Sequence, residues 1–200
     1  MFTGIVAAVG TVRSAKPARG GVRLVVDSAG LGLKDVAVGD SIAVNGACLT
    51  VAARKGRVFE ADVSRATLAC TTGFAAGQRV NLEKSLRAAD RLGGHLVSGH
   101  VDGVGTVARA RVAGASRLLA VAAPRALARY VARKGSIAVN GVSLTVNAVS
   151  RAEFQVNLVP HTLAASNLGA LRAGDRVNLE VDMLARYVER LREAGDEVTQ

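Results

Sequence analysis

Few side chains in this 200-residue chain can move a proton or attack a carbon near neutral pH: three histidines, two cysteines, and the hydroxyls that share their strands. His95 and His100 fall inside Gly93-Gly94-His95-Leu96-Val97-Ser98-Gly99-His100-Val101-Asp102-Gly103. An imidazole changes charge near neutral pH and can serve as general acid or base. A lone histidine is also a common structural residue, and both readings of His100 stand. The spacing does not make a metal site, because His95 and His100 are five apart and no third ligand type completes a set. Nor is Gly99-x-x-x-Gly103 a phosphate loop, since no Gly-Lys-Ser/Thr follows. Cys48 is either a nucleophile or a small space-filling residue; a reactive thiol needs a lowered pKa, and no base stands beside it in sequence. Lys134 either stabilises an anion or is simply solvated.

The elements that must position these groups come in pairs. Ser41-Ile42-Ala43-Val44-Asn45-Gly46-Ala47-Cys48-Leu49-Thr50-Val51 returns 95 positions later as Ser136-Ile137-Ala138-Val139-Asn140-Gly141-Val142-Ser143-Leu144-Thr145-Val146. Asn-Gly between alternating apolar runs signals a two-residue hairpin, because both central residues of a type I′ turn take positive φ. Val44 then faces Ala47, Ala43 faces Cys48, Ile42 faces Leu49 and Ser41 faces Thr50. Side chains alternate along a strand. One face carries Ile42, Val44, Ala47, Leu49 and Val51, which suits a core. The other carries Ser41, Ala43, Cys48 and Thr50, and in the second copy Ser136, Ala138, Ser143 and Thr145. A strand face in water tends to carry Lys, Glu or Arg; this one has none. A ligand or a second surface is expected to lie on it.

The repeat extends further. Gly4–Val12 aligns with Gly99–Val107, Phe59 with Phe154, and Ala66-Thr67-Leu68 with His161-Thr162-Leu163, all at a separation of 95. Gly77–Glu83 aligns with Gly174–Glu180 at 97. Two homologous halves are expected at 1–96 and 97–182, followed by 183–200. Each half reads as short strands broken by Gly, Asp and Asn, expected in the first at Gly4–Val12, Val22–Val26, Ser41–Val44, Ala47–Ala53, Val58–Val63 and Arg79–Leu82, which points to a small β-barrel or sandwich. Ser64 is placed to cap a helix over Arg65–Cys70, and Pro160 to start one over His161–Ser166. Another short helix follows Pro124, over Ala126–Val131. From Asp182, apolar residues at 184, 187, 188 and 191 make one helical stripe, with Gly195 as a stop. That stripe packs either on its own barrel or on another subunit.

Half of the residues are hydrophobic but only 3% are aromatic, and Trp is absent, so small side chains must fill the interior. No apolar run approaches the roughly 20 residues of a membrane span, and no signal peptide is evident at the start. Two cysteines make no disulfide framework. A cytoplasmic protein is expected. The net charge of +10 raises the question of nucleic acid. The arginines are scattered, with no basic block and no aromatic RNA-binding motif, so neither nucleic acid nor membrane is expected as a partner.

Positions where the copies differ are the candidates for chemistry added to one of them. Ile5 becomes His100, Cys48 becomes Ser143, Asp62 becomes Asn157 and Ala66 becomes His161. The opening Met-Phe-Thr-Gly-Ile-Val, the Gly-Gly-His-Leu-Val-Ser-Gly-His-Val junction and the doubled Asn-Gly-x-(Cys/Ser)-Leu-Thr-Val together resemble the riboflavin synthase alpha-chain family over about residues 1–185. That resemblance implies an all-β fold of two homologous six-stranded antiparallel Greek-key barrels plus a C-terminal α-helix that joins three subunits. It implies a transferase that dismutates two molecules of 6,7-dimethyl-8-ribityllumazine. A four-carbon unit passes between them, giving riboflavin and 5-amino-6-(D-ribitylamino)uracil. No metal or redox cofactor is needed. The resemblance also admits a lumazine synthase as a partner.

Carried over by position, the resemblance groups Gly4, Ile5 and Val6 with Cys48, Leu49 and Thr50, and with Asp62, Val63, Ser64, Arg65, Ala66 and Thr67, as the pocket of the first half. Phe2, Thr3 and Ser41 would lie close to it. It groups Gly99, His100 and Val101 with Lys134, with Ser143, Leu144 and Thr145, and with Leu158, Val159, Pro160, His161, Thr162 and Leu163 in the second half. His100 is the expected proton carrier, with Ser143 and Cys48 orienting substrate or water. Three departures stand out: Asn140 where the family often has Asp, Ala66 where many members have Glu, and Thr71-Thr72-Gly73-Phe74 in place of Thr-Asn-Leu-Gly. They leave a non-catalytic lumazine- or flavin-binding relative as the alternative.

Overall fold

Both Asn-Gly turns form as their residue types require. Asn45 and Gly46 take φ of 48° and 82°, and Asn140 and Gly141 take 46° and 77°. In this computed structural model, which describes residues 1–198, the first hairpin pairs Val44 with Ala47, Ala43 with Cys48, Ile42 with Leu49 and Ser41 with Thr50, the expected register. The last two positions of the expected tail, 199 and 200, lie outside the described residues.

The first half contains β1 (Ala8–Ala18), β2 (Gly21–Asp27), β3 (Ser41–Val44), β4 (Ala47–Lys55), β5 (Val58–Ser64), α1 (Arg65–Cys70) and β6 (Arg79–Lys84). The second contains β7 (Gly103–Ala113), β8 (Ser116–Ala122), α2 (Arg125–Ala128), β9 (Ser136–Val139), β10 (Val142–Ser150), β11 (Glu153–Leu158), α3 (Pro160–Ala165) and β12 (Arg176–Val181), with a 3-10 turn at Asn167–Ala170. The strands close into two antiparallel barrels of the same order, β1-β2-β5-β4-β3-β6 and β7-β8-β11-β10-β9-β12. Register shifts fall at matching places, between Val12 and Ser14 and between Val51 and Ala53 in one barrel, and between Val107 and Arg109 and between Val146 and Ala148 in the other. An extra residue bends and twists its strand, which helps so small a sheet to close. Alternate residues fill each barrel: Leu24, Val26, Leu49, Phe59 and Leu82 in the first, Leu119, Val121, Leu144, Phe154 and Leu179 in the second.

The barrels meet turn to turn. A Cβ on Gly46 would lie 2.8 Å from the Gly141 nitrogen, and one on Gly141 would lie 2.7 Å from that of Gly46. Glycine is needed there for close approach as well as for its positive φ. Asn81 Nδ2 donates to the Asn140 carbonyl at 2.9 Å, and Asn178 Nδ2 donates to the Asn45 carbonyl at 2.9 Å. Asn140 thus serves the joint between barrels through its carbonyl, while its Oδ1 accepts the Asn178 amide hydrogen within its own barrel.

Several boundaries differ from expectation. The strand expected over Gly4–Val12 begins only at Ala8, because the residues before it leave the barrel and cross to the other half. The helix expected over Ala126–Val131 is short, Arg125–Ala128, and Val131 drops into the core. The last helix, α4 (Met183–Val198), starts where Asp182 Oδ1 accepts the Leu184 amide hydrogen. It runs past Gly195, since glycine in a helix interior costs only about 1 kcal/mol and does not stop it.

Candidate functional site

The residues that leave the barrels form two straps, related to each other by the repeat. Phe2 and Val97 pair with one another at the centre, with hydrogen bonds of 2.7 and 3.1 Å. From this bridge one strap runs through Gly4 to Val6, and the other through Gly99 to Val101. Each is tied to the floor by a buried carboxylate. Glu83 accepts hydrogen bonds from the Thr3 amide and hydroxyl at 2.7 Å and from the Gly4 amide at 3.0 Å. Glu180 accepts from the Ser98 amide and hydroxyl and from the Gly99 amide at the same distances. Burial raises the pKa of both carboxyls, and these hydrogen bonds oppose it.

The straps then cross over. Gly99 O accepts the Cys48 amide hydrogen at 2.8 Å, and Val101 packs against the first barrel's core. Gly4 O accepts the Ser143 amide hydrogen at 2.8 Å, and Val6 packs against the second barrel's core. This corrects the expected grouping: Gly4, Ile5 and Val6 lie on the second barrel, and Gly99, His100 and Val101 lie on the first. Sequence alignment of the halves could not show the exchange, because either strap alternates small and apolar residues in the same way. Phe2 lies close to Cys48 of the first face, as expected, but it is fully buried between the halves with Ala43, Val97 and Ala138, so its side chain lines no open face.

Two open faces result. On the first, Cys48 and Thr50 point outward from β4, with exposed His100 on the strap above them and Asp62 at the end of β5. Ser64 caps α1, its Oγ accepting the Thr67 amide hydrogen at 3.1 Å, while Arg65 and Ala66 are exposed beside it. Asp62 is clasped by Arg23 at 2.6 and 2.9 Å. On the second face, Ser143 and Thr145 point outward from β10, with Ile5 on the strap and Val159, Pro160 and His161 exposed at the start of α3. Thr162 and Leu163 are half-buried there. Lys134 is exposed beside this face, its backbone bonded to the Val146 carbonyl at 2.8 Å. It takes φ of 68° where its repeat counterpart is Gly39 at 97°, a strained placement for a residue with a Cβ. Leu49, Val63, Leu144 and Leu158 point into the cores, so only their backbones reach the faces. Ser41 is half-buried on β3 opposite Thr50.

Some participants were not anticipated. His95 figured only as an incomplete metal ligand, yet its Nδ1 lies 2.6 Å from Ser143 Oγ. Burial lowers its pKa, which favours the neutral imidazole and is opposed by the charge of Asp182. The one signal was its place in the glycine-rich junction; a contact across 48 positions leaves no local pattern. Arg186 of α4 donates to the His100 carbonyl at 3.3 Å and pairs with Asp102 at 2.8 Å. Among the described residues no group of three His, Cys, Asp or Glu side chains is arranged to hold a metal. The faces offer hydroxyls, a thiol, strand carbonyls and amides, the open imidazoles of His100 and His161, and a lysine. Such a set can pair the edge of a flat polar ring and exchange protons with it.

The lumazine binding domain family matches residues 3–85 and again 98–182. The riboflavin synthase of Photobacterium phosphoreum is 44% identical over 193 residues, covering 96% of this chain and 88% of that protein. That of Mycobacterium tuberculosis H37Rv is 43% identical over 208 residues, covering 98% and 100%. That of Bacillus subtilis 168 is 37% identical over 203 residues, covering 100% and 94%. The solved structure of LumP complexed with 6,7-dimethyl-8-(1'-D-ribityl) lumazine superposes with a TM-score of 0.81 at 27% identity, covering 90% of this chain and 99% of that one. The LumP complex with riboflavin gives 0.83 at 28%.

Proposed function

The chain belongs to the riboflavin synthase family of duplicated lumazine-binding domains, and on that footing we propose that its two open faces hold the two reactants of one reaction. It is a transferase of that family. Two molecules of 6,7-dimethyl-8-ribityllumazine dismutate: one gives up four carbons and leaves as 5-amino-6-(D-ribitylamino)uracil, and the other gains them and becomes riboflavin. The atoms balance between these two molecules without an external oxidant. The observation that carries the proposal is the matched pair of faces at Cys48 and Ser143, each roofed by the other half's strap. Two copies of one ligand call for two nearly equal sites, and their unequal side chains suit unequal roles.

Holding the two rings face to face supplies much of the rate through proximity. In this reading His100 exchanges the proton of the acidic 7-methyl group, while Cys48 and Ser143 orient the rings or water. Strand backbones at 48–50 and 143–145 pair the ring edges, the residues at 62–67 and 158–163 border them, and Lys134 steadies negative charge on the second ring. The buried Phe2–Val97 bridge stands between the Cys48 and Ser143 faces of one chain. That wall supports a productive pair drawn from the first face of one subunit and the second face of another.

A homotrimer belongs to the same proposal and draws support from α4. Its polar residues dock it on its own barrel: Arg186 on Asp102, and Glu189 on Arg129 and Tyr130. Its apolar residues Leu184, Tyr187, Val188 and Leu191 face away, 65, 63, 67 and 74% exposed. A helix turned apolar-outward asks for a partner. The unit boundaries at 96/97 and 182/183, read from the repeat, and the cytoplasmic setting are carried with the proposal, as is the lumazine synthase partner that the family resemblance implies. No helix among the described residues is long and apolar enough to cross a membrane. The test is to incubate the protein with the lumazine alone, without oxygen. One riboflavin for every two lumazines consumed is expected; tight binding without conversion would favour the binding-only alternative.

A further inference from the structure

Ser143 is gripped from two sides. Its amide donates to Gly4 O at 2.8 Å, and its Oγ lies 2.6 Å from His95 Nδ1. His95 is itself fixed. It is 8% exposed, and its amide donates to the Thr3 carbonyl at 3.1 Å. Thr3 is in turn held by Glu83. The preceding residue must be small for this arrangement to close: a Cβ on Gly94 would come 2.1 Å from the Thr3 carbonyl oxygen and 2.9 Å from Ser143 Oγ. The far nitrogen, Nε2, is buried without a hydrogen-bond partner among the described residues.

That bare nitrogen decides the direction of the His95–Ser143 bond. A neutral imidazole carries one proton. If it sat on Nε2, a buried N–H would be orphaned, which is the rarer and costlier fault; an under-used acceptor is better tolerated. The proton therefore belongs on Nδ1, which donates to Ser143 Oγ. With one lone pair occupied and its rotation restrained, the serine hydroxyl is left to donate outward across the face. We infer that His95 is a positioning residue that makes Ser143 a directed hydrogen-bond donor toward an acceptor atom, a carbonyl oxygen or ring nitrogen, of the heterocycle on the second face. This rests on the reading of that face as a lumazine site. Cys48, the counterpart of Ser143, is held by its backbone through Gly99 O, so the inference gives the two faces different chemistry.

The test is a double-mutant cycle on His95→Leu and Ser143→Ala, with kcat/KM for the dismutation and Kd for the lumazine, from its fluorescence, as separate readouts. Each single change is expected to lower kcat/KM about tenfold or more, and the pair no further than the worse single. His95→Asn places an amide N–H near the Nδ1 position and should recover most of the loss. Losses that multiply in the double variant, an Asn variant as poor as Leu, or a Leu variant with unchanged kcat/KM would each overturn the role. Thermal melts check folding; if the Leu variant unfolds, His95→Gln, whose amide reaches the Nε2 position and leaves Nδ1 without a donor, takes its place in the cycle. Nitrogen-15 shifts of the imidazole should show Nδ1 protonated, and an Nε2–H form would reverse the bond and sink the inference. If the wild-type protein binds lumazine but converts none, the catalytic reading fails, while the same cycle in Kd still judges His95.

Discussion

Gly99 O accepts the Cys48 amide hydrogen at 2.8 Å, so the first barrel's face is finished by backbone from the second half of the chain. Gly4 repays this on Ser143 at the same distance. Both glycines have positive φ, 79° and 75°, and a Cβ on either would come 2.6 Å from the Cβ of the residue it bonds. Gly99→Ala and Gly4→Ala should each cost about 2–3 kcal/mol of stability. Their functional effects should be crossed: Gly99→Ala should weaken ligand at Cys48, and Gly4→Ala at Ser143. Calorimetric titration with riboflavin, read against Thr50→Arg and Thr145→Arg as face-specific blocks, would show which site each glycine serves.

The outward stripe of α4 sets a second expectation. Val188→Glu with Leu191→Glu places charge on the exposed apolar residues without touching Arg186 or Glu189, which hold the helix to its barrel. Light scattering should show a trimer falling to monomers that keep their fold. Dismutation should fall with it by at least a hundredfold, because one chain's faces are separated by the Phe2–Val97 bridge, and losing the proximity of two reactants costs several kcal/mol.

Stability should be bounded on both sides of the pH scale. Asp27 is lowered to about 2 by the hydrogen bonds from Arg13, then the Ala29 amide, then Arg57. A lowered acid contributes stability that is present above its unfolded value near 3.8 and lost as the pH falls toward 2. Glu83 and Glu180 act in the opposite sense. Burial raises them, so the folded chain holds their protons more tightly, and that contribution is lost as the pH rises above 4.5 through their raised values. Asp27→Asn should flatten only the acid limb and cost about 1–2 kcal/mol at pH 7, a modest figure because Arg13 and Arg57 are 51 and 68% exposed and partly screened. Urea denaturation at a series of pH values reads both limbs.

His100→Gln keeps size and polarity but removes the imidazole from the first face. A residue that exchanges protons in the transition state should lose kcat, by about 100-fold or more, with lumazine affinity within a few-fold of the original. Unchanged kcat would remove His100 from the mechanism.

How far the sequence could be read depends on which physics is local. The Asn-Gly turns set both hairpin registers, and alternation assigned Leu49 inward and Cys48 outward, as found. The Ser64 cap was also legible, because a cap acts within one turn. The strap exchange was not. Val6 and Val101 are apolar either way, and the core each enters goes with contacts distant in sequence: Phe2 with Val97, Gly4 with Ser143 and Gly99 with Cys48. Glu83 and Glu180 were visible only as repeated letters, since a charge on a strand's outer face reads as solvated until the strap at Thr3–Gly4 or Ser98–Gly99 lies over it. The α4 stripe was legible as a stripe, but its direction depends on Asp102, Arg129 and Tyr130, far away in sequence.

The central claim, that a productive pair joins the first face of one chain to the second face of another, is tested most directly by subunit mixing. Thr50→Arg blocks the first face and Thr145→Arg blocks the second, and each homogeneous variant should be inactive. After the two are unfolded, mixed and refolded together, riboflavin formation should return, because some neighbouring chains then pair an intact first face with an intact second. A mixture as inactive as its two components, with mixed oligomers verified by mass spectrometry, would show that the faces work within one chain and would contradict the account.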